Sequence, residues 1–232
     1  MTTLFVAATD TGAGKTMVTG LLAAHCAGRG VDVVTQKWVQ TGSRRGRNDL
    51  DLHLRLAGQR PLTAAVRARR EPYALPLPAS PHLAARAAGM TIQPARILAA
   101  YRALARQHQL VIVEGAGGLL VPYTPRLTQL DLVRRAGLPV LLVVANRLGC
   151  VNHALLSLAA LRTARVPLLG CVFTATRPGP RALLADNPRI ITAFAGATLL
   201  GSLPYCRSAA ARARAFAPVA RHIVRALEDF QQ

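Results

Sequence analysis

Lys15 and Lys37 are the only lysines in a chain with 29 basic residues; the other 27 are arginine. Where arginine serves almost everywhere a cation is tolerated, a retained lysine marks a place that needs a compact ammonium with rotatable donors. Lys15 closes the segment Ala8-Thr9-Asp10-Thr11-Gly12-Ala13-Gly14-Lys15-Thr16. Backbone N–H groups of such a glycine-rich loop, with the N-terminus of the helix that follows, cradle a polyphosphate. The lysine reaches the β- and γ-phosphates, and the threonine hydroxyl binds Mg2+. Thr9 stands where the strict GxxxxGK[ST] pattern has its first glycine, so the loop is a variant. Gly12, Ala13, Gly14, Lys15 and Thr16 are the expected nucleotide contacts.

Glu114 is one of only three glutamates; it follows Leu110-Val111-Ile112-Val113 and precedes Gly115-Ala116-Gly117-Gly118. That context puts a carboxylate at the C-terminal end of a buried strand, the edge where open α/β sheets bind ligands. An acid there can hold Mg2+ opposite the loop threonine. Lys37 ends another apolar run and is followed by Trp-Val-Gln-Thr-Gly, with Asp49 and Asp51 further on. From a strand end it can reach the same crevice as Lys15. Two ammonium groups and a divalent cation around one polyphosphate are the equipment of phosphoryl transfer. Trp38 reads as a packing residue. His25, His53, His108 and His222, in helical patterns, read as surface or core fillers, and Tyr205 and Cys206 have no evident partner.

Those residues need elements to position them. Thr3 to Ala8, Val31 to Gln36, Gln109 to Val113, Val140 to Ala145 and Leu168 to Phe173 read as strands. Helical patterns run from Lys15 to about Gly28 and over 94–107, 126–136 and 151–164. Strands alternating with helices predict βαβ units and a single-domain parallel sheet over 1–232, with helices on both faces: a three-layer, Rossmann-like architecture of the P-loop NTPase type. Pro72 to Pro81, with four prolines, reads as an extended loop.

Composition agrees. With 51% hydrophobic but only 4% aromatic residues, the core must be built from Ala, Leu and Val. Met1 to Thr16 has no basic stretch before its apolar run, so it does not read as a signal peptide. The longest apolar stretches, such as Leu138 to Ala145, fall far short of the roughly 20 residues that cross a bilayer. Cytoplasm is the expectation, with no membrane partner. Cys26, Cys150, Cys171 and Cys206 show no paired spacing and read as free thiols. The net charge of +19 points towards nucleic acid at first. The arginines, however, are scattered singly. The short clusters at Arg44, Arg45 and Arg47, at Arg67, Arg69 and Arg70, and at Arg212 and Arg214 accompany no RNP, KH or zinc-finger pattern, so no nucleic-acid partner is expected.

In order along the chain, TDTGAGKT, KWVQTG, PASPH, VEGAGGLLVP and LGCVNH, spanning roughly 9–153, closely resemble the dethiobiotin synthetase family of biotin biosynthesis. Leu200-Gly201-Ser202-Leu203-Pro204 looks like the family's LGxxP element near the nucleotide base. The resemblance implies an ATP- and Mg2+-dependent ligase acting on 7,8-diaminononanoate and CO2 through a carbamate and a carbamic–phosphoric anhydride. It implies that Thr11, Lys15 and Lys37 steady the carbamate and γ-phosphate, and that Thr16, Asp49 and Glu114 hold Mg2+. Asp49 is preferred to Asp51 by its spacing to His53-Leu54. Thr41 would touch the carbamate or an amine, and Gly117, Gly118, Leu119 and Leu120 would line the substrate groove. Thr174, Leu203 and Pro204 would meet the base. The acid tail of the substrate would be received by a helix N-terminus of a second subunit, matched by Gly149, Cys150, Val151, Asn152 and His153, so a homodimer with shared active sites is implied.

Two departures from the family pattern matter. Ala8 replaces a common glycine, which would crowd the loop. Phe173-Thr174 replaces an Ala-Asn pair that reads adenine, so weaker discrimination between ATP and CTP is expected. A partitioning ATPase of the same fold would carry a further lysine early in its loop, where this chain has Asp10, and would give Lys37 no role.

Overall fold

The structure is a computed structural model that describes residues 2–44 and 46–230; Arg45, of the first arginine cluster, lies outside the described residues. In chain order the first elements are β1 (Thr2–Ala8), α1 (Lys15–Ala27), β2 (Val33–Lys37), β3 (Val39–Thr41), α2 (Asp49–Leu56), α3 (Ala64–Arg70), β4 (Tyr73–Leu75), α4 (Pro81–Ala87) and α5 (Pro94–Ala105). There follow β5 (Leu110–Glu114), β6 (Pro122–Thr124), β7 (Leu127–Thr128), α6 (Gln129–Ala136), β8 (Val140–Ala145), α7 (Cys150–Thr163), β9 (Leu168–Thr174), α8 (Arg181–Ala195), β10 (Leu199–Leu203) and α9 (Ala209–Asp229).

Six strands form one sheet in the order β10-β9-β8-β1-β5-β2, with every pairing parallel. The strands are apolar on both faces because both faces are covered. Phe5 and Ala7 of β1 point into one core with Ile97, Tyr101, Val133, Leu158 and Ile191. Leu4, Val6 and Ala8 point into the other with Val18, Leu22, Phe216, Val219 and Ile223. Helices α1 and α9 therefore cover one face and α5 to α8 the other, giving the three layers that the alternation of elements predicts. Ala8 is a fully buried strand residue. The only described non-glycine residue with positive φ is Arg165, so Ala8 brings no backbone strain to the loop.

The five strands read from sequence are present, with ends shifted by a residue or two. Lys37 and Glu114 belong to β2 and β5 rather than following them. The proline-rich stretch is not wholly a loop, because Tyr73–Leu75 pairs in parallel with Val39–Thr41 as a separate two-stranded ribbon. Its prolines sit outside the paired residues, where no ladder N–H is needed. The 126–136 pattern splits into β7 and α6, and Asp131 accepts from the Thr128 N–H at 2.9 Å at the start of that helix. His108 lies beyond α5 and bonds Asp32 at 2.9 Å. Among the described residues no helix is long and apolar enough to cross a membrane.

Candidate functional site

Between β1 and α1 the chain turns through Gly12 (φ 74°) and Gly14 (φ 93°), both left-handed, which explains glycine at these positions. Gly14 is the N-cap of α1, and no side chain caps the first turn, as a helix start that receives an anion requires. The loop is pinned from behind by the Thr174 hydroxyl, which donates to the Ala13 carbonyl. Lys15 Nζ bends back over the loop to the Asp10 carbonyl at 3.4 Å and reaches the Gly117 carbonyl at 2.8 Å, tying the first glycine loop to the second. Burial, and then the neighbouring Lys37, lower Lys15 to a pKa of about 8, while Glu114, Asp49 and Asp10 pull the other way.

The register of the sheet sets the rest. Lys37 on β2 and Val6 on β1 both pair with Glu114 on β5. Lys37 Nζ donates to Glu114 Oε1 at 2.8 Å and to the Gly115 carbonyl at 2.8 Å, and lies 2.6 Å from Asp49 Oδ2. Thr16 Oγ1 donates to the same Glu114 Oε1 at 2.9 Å. Burial alone would raise Glu114, but Lys37 and the hydrogen bond from His53 outweigh it and hold the carboxyl far below the usual range. Burial would lower Lys37, and Glu114 and Asp49 reverse the sign. Each charge is therefore fixed by the other, as a buried pair must be to survive desolvation.

One cavity of about 850 Å³ unites these groups. Thr11, Gly12, Gly14, Lys15, Thr16, Lys37, Thr41, Asp49, Glu114 and Gly117 line it, and so do Thr174, Leu203 and Pro204 at its other end. Ala13 lies fully buried beneath the loop. Gly118 and Leu119 do not join this cavity; with Leu120, His153 and Leu156 they line a neighbouring one of about 510 Å³. The turn at Gly117 (φ 61°) sends the chain away there. Gly149, at φ 86°, caps α7, and Cys150, Val151 and Asn152 form its first turn. None of these four lines either cavity.

Asp49 and Asp51 are separated by their partners. Asp49 faces Lys37, and its N–H donates to Gln40 Oε1 at 2.9 Å. Asp51 accepts from the Asn48 N–H at 2.9 Å, the N-cap of α2, and is paired with Arg67. Arg67 also meets Glu71 at 3.2 Å, and buried Arg70 holds Thr35 through its carbonyl and hydroxyl, both at 2.8 Å. Two of the three arginines in that cluster are thus consumed inside the fold rather than offered to a partner.

Two residues essential to the geometry carry little signal in the sequence. His53, read as a filler, places Nε2 2.7 Å from Glu114 Oε2 with both side chains fully buried. Its position four residues after Asp49, on the same face of α2, is the one available hint. Gln129 is fully buried, and its Oε1 accepts from the Ala116 N–H at 2.6 Å and the Tyr123 hydroxyl at 2.8 Å. A Cβ on Gly115 would lie 2.5 Å from that oxygen, which is why the loop opens with glycine.

Thr16 Oγ1, Asp49 Oδ2 and Glu114 Oε1 form a set of hard oxygen donors of the kind Mg2+ takes. An ammonium already sits between the two carboxylates, so the position accepts a cation. Among the described residues no three or more His, Cys, Asp or Glu side chains cluster as a metal site. A divalent ion here would depend on nucleotide phosphates to complete its shell, as Mg2+ commonly does.

Comparison with known proteins gives three results. A family model described as AAA domain matches residues 2–213. The chain is 41% identical over 218 residues to the ATP-dependent dethiobiotin synthetase BioD of Anaeromyxobacter dehalogenans, covering 93% of this chain and 96% of that protein. It is 42% identical over 209 residues to the ATP-dependent dethiobiotin synthetase BioD of Nitrosospira multiformis, covering 90% of each. Among solved structures, the MinC:MinD cell division protein complex of Aquifex aeolicus aligns with a TM-score of 0.62 at 14% identity, covering 100% of this chain and 96% of that chain. A likeness at that identity shows the fold alone, a three-layer α/β architecture with the P-loop.

Proposed function

The chain belongs to the ATP-dependent dethiobiotin synthetase family, and from that premise we propose that it joins CO2 to 7,8-diaminononanoate and closes the ureido ring of dethiobiotin, cleaving ATP to ADP and phosphate. The observation that carries the reading is the meeting of Lys15, Thr16, Lys37, Asp49 and Glu114 around one cavity.

In this reading one amine adds to CO2 and loses a proton, giving a carbamate. A carbamate oxygen attacks the γ-phosphorus as ADP departs, forming the carbamic–phosphoric anhydride. The second amine attacks the anhydride carbonyl, the carbon–oxygen bond to phosphate breaks, and the ring closes with loss of a proton. Little covalent work falls to the protein, and its contribution is placement and charge. Thr11, Lys15 and Lys37 steady the carbamate and γ-phosphate, and Thr41 and Gly117 border the diamine. Thr16, Asp49 and Glu114 would hold Mg2+, which supplies charge neutralisation at the β- and γ-phosphate oxygens when bound. Until nucleotide arrives, Lys37 keeps Asp49 and Glu114 from repelling one another.

The base is assigned to the end lined by Thr174, Leu203 and Pro204. The Thr174 hydroxyl already donates its hydrogen to the phosphate loop, so unlike an Asn it offers the base no donor, and weaker discrimination between ATP and CTP follows. The homodimer, with Gly149 to Asn152 receiving the substrate carboxylate in the partner's site, belongs to the same proposal. Its support is that Gly149, Cys150, Val151 and Asn152 line neither cavity of their own chain, although His153 in the same turn borders the smaller one. A single domain over 1–232 and a cytoplasmic location complete the reading, the latter supported by four free cysteines. Incubation with 7,8-diaminononanoate, bicarbonate, Mg2+ and ATP, followed by mass analysis, tests the function. Dethiobiotin formed in proportion to ADP is expected, and ADP release indifferent to the diamine would overturn it.

A further inference from the structure

Helix α2 delivers two side chains to one ion pair. Asp49 and His53, four residues apart on one face, reach Lys37 Nζ at 2.6 Å and Glu114 Oε2 at 2.7 Å. The helix comes this close because α1 presents Gly20 to it: a Cβ there would lie 2.6 Å from Leu56 Cδ1 and 3.3 Å from His53 Cα. Glu114 is ionised and can only accept, so His53 Nε2 carries the hydrogen of their bond. His53 Nδ1 then faces the protein interior. It and Thr19 Oγ1 are the only buried side-chain N or O atoms without a protein partner among the described residues. A residue kept for packing would not leave such an atom behind, since leucine fills comparable space with no polar group to satisfy. The bond that His53 does make must therefore account for it.

We propose that His53 is a positioning residue for the reaction. By holding Glu114 Oε2 it turns Oε1 alone towards Thr16, Lys37 and the cation that accompanies the triphosphate. A glutamate with both oxygens free can rotate or chelate, whereas one clamped from behind presents a single lone-pair direction. Hydrogen bonds behind a ligating carboxylate typically set metal affinity by about 10- to 100-fold. The inference rests on the proposed role of Glu114 at the triphosphate.

Mn2+ binding to the full-length protein with ATP, followed by electron paramagnetic resonance without diamine, tests it together with steady-state kinetics and thermal melting. His53→Leu is expected to weaken Mn2+ by about 10-fold or more and, because it leaves Glu114 Oε2 buried without its donor, to lower the melting midpoint as well. His53→Gln, whose amide nitrogen reaches the Nε2 position, is expected to recover most of the affinity, and His53→Asn, whose nitrogen falls short, is not. In turnover the loss should fall on both the metal KM and kcat. Should His53→Leu fail to fold, the contrast between Gln and Asn carries the test alone. Unchanged Mn2+ affinity in His53→Leu, or Gln and Asn variants equally impaired, would overturn the inference and leave the proposed function standing. A wild-type protein that binds no Mn2+ with ATP would overturn both.

Discussion

Lys37 and Glu114 are register partners on adjacent parallel strands, and the Nζ of one donates to Oε1 of the other at 2.8 Å with both side chains buried. The pair sits at the carboxyl edge of the sheet beside the phosphate loop, so the charge that each stabilises is available to a ligand entering there. Four consequences can be measured.

Lys37→Gln should reduce dethiobiotin formation by at least about 10²- to 10³-fold, the scale of removing one preorganised donor from a developing anion. Nucleotide binding should persist, because Lys15 and the loop N–H groups remain. Isothermal titration with a non-hydrolysable ATP analogue separates the two effects. Turnover equal to wild type would remove Lys37 from the mechanism.

Asp49→Asn and Asp51→Asn should differ in kind. The first removes a carboxylate from the cavity and should weaken metal-dependent turnover by about 10- to 100-fold. The second leaves a single amide oxygen where Asp51 uses one oxygen for the Asn48 N–H and the other for Arg67, and removes the charge Arg67 pairs with, so it should cost about 1 kcal/mol of stability with turnover near wild type. Kinetics against Mg2+ concentration and thermal melts tell them apart.

Lys15, lowered to about 8, should couple nucleotide binding to protons. A polyphosphate restores the charged form, so ATP binding should take up close to one proton at pH 9 and almost none at pH 7, and affinity should fall as pH rises through 8. Calorimetry in two buffers of different ionisation enthalpy reads this uptake, and Lys15→Met should abolish it. In the nucleotide-free protein the sign for stability is the reverse. Between about 8 and 10.5 the folded chain has lost a proton that the unfolded chain keeps, so Lys15 penalises folding below that window and the penalty lifts as pH rises through it.

The four thiols should not react alike. Burial raises Cys26 to about 11 and Cys171 to about 12, and Cys150 is raised in the same way. Cys206 is half-buried and lines the larger cavity, the one proposed to take nucleotide. Native protein at pH 8 should therefore expose one reactive thiol, protected by ATP and lost in Cys206→Ser, by titration with a chromogenic disulfide.

Local order along the chain was enough to reveal the phosphate loop, the Val-rich strands and the carboxylate at a strand end. Glycines before Lys15 and apolar runs before Lys37 and Glu114 act through nearest neighbours, and a parallel sheet follows from strands alternating with helices. Other features depended on which distant segments touch. The ribbon of Tyr73–Leu75 needs Val39–Thr41 as its partner, and prolines on either side disguise it. Helices α8 and α9 carry Pro188 and Pro218 inside them, and packing on the sheet outweighs that cost. Asp49 and Asp51 are chemically alike two residues apart; only Lys37 facing one and Arg67 facing the other tells them apart. His53 and Gln129 look like ordinary helical residues until the fold buries them against Glu114 and Ala116. Residue type set the chemistry each side chain could perform, while the juxtaposition of distant segments, 98 positions apart in the bond from Thr16 to Glu114 and 161 in that from Thr174 to Ala13, decided which of them meet. The physical reason is that desolvation makes a charge or hydrogen bond consequential only once it is buried beside a partner, and burial is a property of the packed sheet and helices.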